Sequence, residues 1–232
     1  MAKACEVLAE RWTPLLVREL LSGSHRFNDL QRGVPLMSRS LLAKRLRELE
    51  DAGIVERRVA RGDRRGHEYH LTPAGEELRP IIEGLGAWGQ RWLVSDVREG
   101  DLDASLLMWD IRRNVHLDAV PDRRTVIRID FPDVSGAEGR WWLIVDEGEA
   151  DLCMTNPGFE VDLAVAVPLR GLTRYWLGRA TWRELVAEGM RLEGPRWLQR
   201  ALPRWLGRSG FAKVPHAAGR RQPPTDRQPG TG

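Results

Sequence analysis

The sequence predicts an α+β protein of two domains, a mostly helical first unit followed by an antiparallel sheet covered by helices. Three observations lead there. Apolar residues recur at helical spacing, broken by caps and glycines, up to about residue 95; strict alternation begins near residue 125; and the charge changes sign between the two. Residues 1–97 hold 16 Lys and Arg against 14 Asp and Glu, residues 98–212 hold 16 against 18, and the tail from 213 holds 4 against 1. A chain of 232 residues, 42% hydrophobic, can bury two small cores. Its two cysteines, Cys5 and Cys153, exclude a disulfide framework and a cysteine-rich zinc module. No apolar run approaches the roughly 20 residues of a membrane helix. No basic-then-apolar leader opens the sequence, so the expected location is cytoplasmic.

In the first unit, Thr13-Pro14 reads as a cap with a first-turn proline, and Leu15, Leu16 and Leu20 continue that helix to Gly23. A short helix over 28–32 closes at Gly33 and Pro35. Ser38 then caps a longer helix over 38–50 with the stripe Leu42, Leu46 and Leu49, and Gly53 suits its left-handed end. The segments 54–59 and 67–71 flank a Gly-bounded basic turn and read as a hairpin. Thr72-Pro73 opens a last helix carrying Leu78, Ile81, Ile82, Leu85, Trp88 and Trp92 along one face. The order helix, helix, turn, long helix, hairpin, helix is a winged helix-turn-helix.

Its basic residues are concentrated. Residues 23–65 hold 11 Lys and Arg against 6 Asp and Glu. Ser38, Arg39, Ser40, Lys44 and Arg45 lie on the long helix, and Arg57, Arg58, Arg61, Arg64 and Arg65 lie on the hairpin. Helix-start hydroxyls and N–H groups grip phosphate, and the residues off the leucine stripe can face a major groove about 12 Å wide.

This half resembles the HxlR-type winged-helix transcriptional regulators. The resemblance is carried by Arg11-Trp12-Thr13, Arg18-Glu19-Leu20, Arg26-Phe27-Asn28-Asp29-Leu30, Ser38 through Gly53, and Tyr69-His70-Leu71-Thr72-Pro73-Ala74-Gly75. It covers residues 2–93. It implies a homodimer formed by the terminal helices and an inverted-repeat operator in double-stranded DNA. Members of that family usually carry a Cys-Pro just before the first helix; Cys5 lies within the helix and does not match it, so redox sensing is not carried over.

In the second unit, Leu106 to Val115 reads as a helix, and 125–131, 141–145, 151–155 and 161–167 read as strands with one buried face. Asn156-Pro157-Gly158 has the residues of a type II turn. Three helices follow: Leu169 to Leu177, one opened by the Thr181–Glu184 capping box, and one opened by Gly194-Pro195. Residues 161–206 resemble the end of a sterol-carrier-protein-type lipid-binding domain, more loosely from 101. The resemblance rests on the Val161–Val167 strand, Leu172 to Gly178, Trp182 to Val186, and Gly189 to Gly194. It implies an apolar tunnel for a fatty acyl chain, sterol or similar effector. Seven of the ten tryptophans fall here. Trp109, Phe131, Trp142, Met154, Trp176 and Met190 are the candidate lining residues.

No catalytic residue, metal ligand set or cofactor motif is expected. The histidines at 25, 67, 70, 116 and 216 have no ligand spacing, and Cys153 reads as a small buried hydrophobe mid-strand. The expected organisation is a DNA-binding domain over 1–95, a sterol-carrier-like ligand-binding domain over 101–211, and a disordered tail over 212–232. The expected function is a non-enzymatic, dimeric transcriptional regulator that senses an apolar small molecule. The alternatives are a second unit that is a ligand-free dimerisation or protein-interaction module, or a lipid carrier.

Overall fold

The computed structural model describes residues 1–60, 66–93, 97, 100, 102–215 and 217. Arg61, Arg64 and Arg65 of the expected wing lie outside these residues, as does the expected tail beyond 217.

The first unit is built from α1 (Ala2–Leu8), α2 (Thr13–Leu21), α3 (Phe27–Gly33), α4 (Arg39–Asp51), β1 (Val55–Val59), β2 (His67–Leu71), α5 (Pro73–Glu76) and α6 (Arg79–Trp92). Its core is Leu16, Val17, Leu20, Leu30, Val34, Met37, Leu42, Leu46, Leu49, Val55 and Ile82. The leucine stripe of α4 is buried as its spacing requires. Ser38 Oγ accepts from the Leu41 N–H at 3.3 Å. At the other end Gly53 has φ +69° and Ile54 N–H returns to the Leu49 carbonyl, a left-handed closure that directs the chain into β1. β1 and β2 pair antiparallel, Val55 opposite Leu71 and Val59 opposite His67.

Sequence periodicity read one helix from residue 72; the structure breaks it into α5 and α6. Pro80 has no N–H to give to Glu76, so the helix restarts with the proline in its first turn. The apolar face of α6 also departs from expectation. Only Ile82 enters the core, while Ile81, Leu85, Trp88 and Trp92 are 48–56% exposed.

The second unit comprises α7 (Ala104–Arg113), β3 (Thr125–Asp130), β4 (Arg140–Asp146), β5 (Glu149–Cys153), β6 (Leu163–Ala166), α8 (Leu169–Trp176), α9 (Trp182–Ala187), β7 (Arg191–Glu193) and α10 (Arg196–Leu206). The expected helix around 106–115 begins earlier because Asp103 Oδ1 caps it by accepting from Leu106 N–H at 2.8 Å. The predicted Thr181–Glu184 capping box is present in both directions.

The sheet has the order β5-β4-β3-β6-β7 and is mixed, which corrects the antiparallel expectation: β6 runs parallel to β3. The turn residues at 156–158 do not fold a hairpin. They lie within a nine-residue link, 154–162, that returns along the sheet to place β6 beyond β3. About 3.3 Å per residue lets that link span a strand of β3's length. β7 adds an edge strand that periodicity did not reveal.

Period-two alternation holds on the inner face. Ile127, Ile129, Phe131, Trp141, Leu143, Val145, Leu163 and Val165 meet Met108, Ile111, Leu172, Leu185, Leu198 and Trp205 from the helices. Trp205 is fully buried there. Among the described residues no helix is long and apolar enough to cross a membrane.

Candidate nucleic-acid interface

The helix-turn-helix is α3, the turn 34–38, and α4. Gln31 braces the turn, its Nε2 donating to the Met37 carbonyl at 2.7 Å and to Val34 at 3.4 Å. With Leu42, Leu46 and Leu49 buried, α4 turns Ser38, Arg39, Ser40, Lys44 and Arg47 to solvent. Arg39 is held over the Phe27 ring at 4.9 Å and donates to Asn28 Oδ1 at 3.0 Å. The Ser38 and Ser40 hydroxyls are 3.2 Å apart. Lys44 lies 3.7 Å from Glu48, both ends in solvent, a pairing too exposed to hold the lysine back from an anion.

Arg45 is placed differently from its sequence neighbours. Its side chain is 14% exposed and bonded to Glu48 at 2.5 Å and to Glu10, so it ties α4 to the segment behind α1. Arg47 was missed, although its spacing from Ser40 and Lys44 puts it on the same helical face. On the wing, Arg57 and Arg58 are exposed, Arg58 next to Glu56. His70 is half-buried and stacks on His25 with centroids 4.2 Å apart. The chain before α3 joins the wing, Tyr69 N–H donating to the His25 carbonyl and Arg26 bridging Glu68.

A second cluster lies behind the head. Glu19 of α2 is fully buried, paired with Arg18 at 2.7 Å and with Arg113 of α7. Arg113 also holds Asp110, whose carboxyl is raised above the ordinary value by burial, against the pull of Arg113 and Arg18. Gly33 leaves room for this carboxylate: a Cβ there would fall 1.8 Å from Glu19 Oε2. Three guanidinium groups surround the Trp109 ring, Arg112 at 4.9 Å, Arg32 at 5.4 Å and Arg113 at 5.9 Å.

Two openings lie along this seam. A cavity of about 350 Å³ is lined by Gln31, Arg32 and Pro35 of the head and by Ser105, Trp109, Trp141, Leu152 and Met154 of the second unit. A cleft of about 750 Å³ runs between α2, α6, α7 and α8, with Trp176 and Phe211 on its wall. Of the six candidate ligand residues, Trp109 and Met154 reach the cavity and Trp176 reaches the cleft. Phe131 and Met190 are packed in the inner core, and Trp142 lies on the outer face of the sheet opposite Arg128. Cys153 ends β5 half-buried, not mid-strand, and burial pushes its thiol up.

This head has the build of a helix-turn-helix transcriptional regulator, and known proteins agree. Residues 7–97 match the HxlR-like helix-turn-helix family. The HTH-type transcriptional regulator YvaP of Bacillus subtilis is 38% identical over 91 residues, which are 39% of this chain and 84% of YvaP. Rv3095 of Mycobacterium tuberculosis, another HTH-type transcriptional regulator, is 40% identical over 95 residues, 40% of this chain and 58% of that protein. The solved structure of the reduced regulator YodB from B. subtilis is 34% identical, covering 39% of this chain and 88% of YodB with a TM-score of 0.35. The chain belongs to the HxlR-like helix-turn-helix family.

Proposed function

We propose that the protein is a homodimeric transcriptional regulator that lays α4 in the major groove of an inverted-repeat operator and responds to a small apolar molecule through its second unit. One observation carries the DNA reading. The capped helix α4 buries Leu42, Leu46 and Leu49 while turning Ser38, Arg39, Ser40, Lys44 and Arg47 outward. Arg39 and Lys44 reach base edges; Ser38 and Ser40 meet phosphate at the helix start; Arg57 and Arg58 of β1, continued by Arg61, Arg64 and Arg65, follow the adjacent backbone. The dimer reading is supported by the exposed Ile81, Leu85, Trp88 and Trp92 on α6, spaced as one helical face. A second copy of the same helix is the occupant we assign to that face.

The order β6, α8, α9, β7, α10 supports the likeness of the second unit to a sterol-carrier domain. A second reading, a ligand-free interaction module, draws on the tightly filled layer between sheet and helices, where Trp205 and Phe131 occupy the centre.

The test is selection of a bound duplex from genomic fragments, followed by titration across salt. Affinity should fall by about 10³-fold or more between 50 and 200 mM salt if some six or more phosphates are contacted. Arg39→Ala should weaken specific binding by about 1–3 kcal/mol, whereas Arg57→Ala should weaken specific and non-specific binding alike. Binding that ignores salt, or that is equal for all sequences, would sink the proposal.

A further inference from the structure

Helix α10 divides sharply around its axis. Leu198, Leu202, Trp205 and Leu206 are buried in the core of the second unit. At 3.6 residues per turn, Arg196, Arg200, Arg204 and Trp197 share the opposite arc of about 100°, and all four are exposed. The helix contains no acid. None of the three guanidinium groups has an ion pair, hydrogen bond or ring partner among the described residues. Arginines elsewhere in this unit are engaged: Arg123 by Asp162, Arg124 by Asp146, Arg128 and Arg140 by Asp130, and Arg174 by Glu188. Helix α10 therefore presents three uncommitted cations along about 12 Å, in a unit that holds more acids than bases.

An open row of this kind suits a polyanion rather than one small anion, because no side chain closes over the arginines. Charge disfavours a second copy of the same face, since a two-fold contact would set arginine against arginine. A bilayer fits poorly. The apolar side of α10 is already spent in the core, which leaves Trp197 as the one large apolar side chain of the outward arc. The phosphate backbone of duplex DNA fits well: guanidinium forks pair with phosphate oxygens, and a row of cations meets a row of anions. We infer that the outward face of α10 is a second DNA-contact surface, which holds the backbone of a duplex without reading its sequence. It lies outside residues 7–97, which carry the family match. The chain leaving α10 packs on the head, Phe211 against Gly86 and Ala217 N–H donating to the Arg91 carbonyl at 3.1 Å. The arginine row is thus carried with the head rather than on a tether. This surface rests on the reading of the chain as a DNA-binding protein, and not on α4 being the helix that reads bases.

The test titrates the full chain across salt against two labelled duplexes, one selected for binding and one of scrambled sequence. Changing Arg196→Gln, Arg200→Gln and Arg204→Gln together should weaken both duplexes alike, by about tenfold or more at low salt. The slope of log K against log salt should become shallower by about 2.7, the value for three lost phosphate contacts. The preference for the selected duplex should not change. Lysine at the same three positions should keep most of the slope. Arg123→Gln, Arg124→Gln and Arg140→Gln together remove the same charge from engaged arginines and should leave the slope as in wild type. Circular dichroism should be the same for the glutamine and lysine variants of α10, since the positions are exposed and both residues are good helix formers. A slope unchanged in the α10 variant, or reduced equally by the control, would overturn the surface. Binding of the wild-type chain to vesicles of phosphatidylglycerol and phosphatidylcholine, lost in the α10 variant while its DNA slope stays unchanged, would assign the row to lipid instead. Sequence preference with an unchanged slope removes the α10 surface and leaves the head's operator reading standing. A shallower slope in the variant, with no sequence preference in the wild-type chain, does the reverse.

Discussion

Asp110 shows how one carboxylate can work against the fold that contains it. Its side chain is about three-quarters buried beside Arg113, and burial outweighs the attraction of Arg113 and Arg18 in raising it above the ordinary aspartate value. A raised folded-state value means that protonation favours the folded chain. The contribution of Asp110 is therefore greatest below its unfolded value and is lost as pH rises through the folded one. Asp110→Asn keeps an oxygen to accept from Arg113 without the buried charge. Thermal melts should show a higher Tm than wild type at neutral pH and a flatter dependence from about pH 4 upward. A lower Tm with an unchanged slope would refute this account. Glu19 is the contrasting residue, buried and doubly paired. Its sequence neighbours Arg18 and Leu20 give no sign of Arg113, 94 positions away.

Helix α6 is where element-scale reading and structure diverge most usefully. Periodicity recognised its apolar face, and Pro80 marked its start, but spacing does not say what covers a face. Within the chain, the opposite side of α6 is already used. Ile82 enters the head core, Gly86 lies against the Phe211 ring, and Gln90 Nε2 donates to the Leu177 carbonyl at 3.1 Å. In the proposed dimer, the outward Leu85 and Trp88 form the face that meets a second copy. Leu85→Glu with Trp88→Glu should weaken self-association by about thirtyfold or more in sedimentation. It should also abolish preference for an inverted repeat over a half-site while leaving the fold unchanged by circular dichroism. An unchanged sedimentation coefficient would remove the α6 interface. The sheet gives the same lesson: alternation identified β3, β4 and β6, yet the residue of β4 expected to line the interior was Trp142, whereas Trp141 is the one packed in the core. The parallel neighbour of β3 depended on where a nine-residue link travelled, which no local signal records.

At the scale of the molecule, the head and the second unit are joined by charge as well as by packing. Arg113 leaves α7 to meet the buried Glu19 of α2, and Arg179 Nη2 reaches Gln90 Oε1 at 3.0 Å. Removing one member of a buried pair leaves an uncompensated charge, so Arg113→Met should cost about 3 kcal/mol. In a chain of this size that lowers Tm by about 6–12 °C. Adding Glu19→Gln should restore most of the loss; a double variant no better than the single one would show that Arg113 acts through packing alone.

The sequence by itself determined the order and type of most elements, the head's family, and the outward basic face of α4. Those features are local: a cap, a leucine spacing or a left-handed glycine acts within a few residues and is written where it acts. Only the tertiary structure decided the seam. Gln31, Arg32 and Pro35 lie 74 or more positions before Trp109, Trp141 and Leu152 in the chain. No periodicity links them; they meet because two separately formed cores pack against each other and leave a gap between a helical turn and a sheet edge.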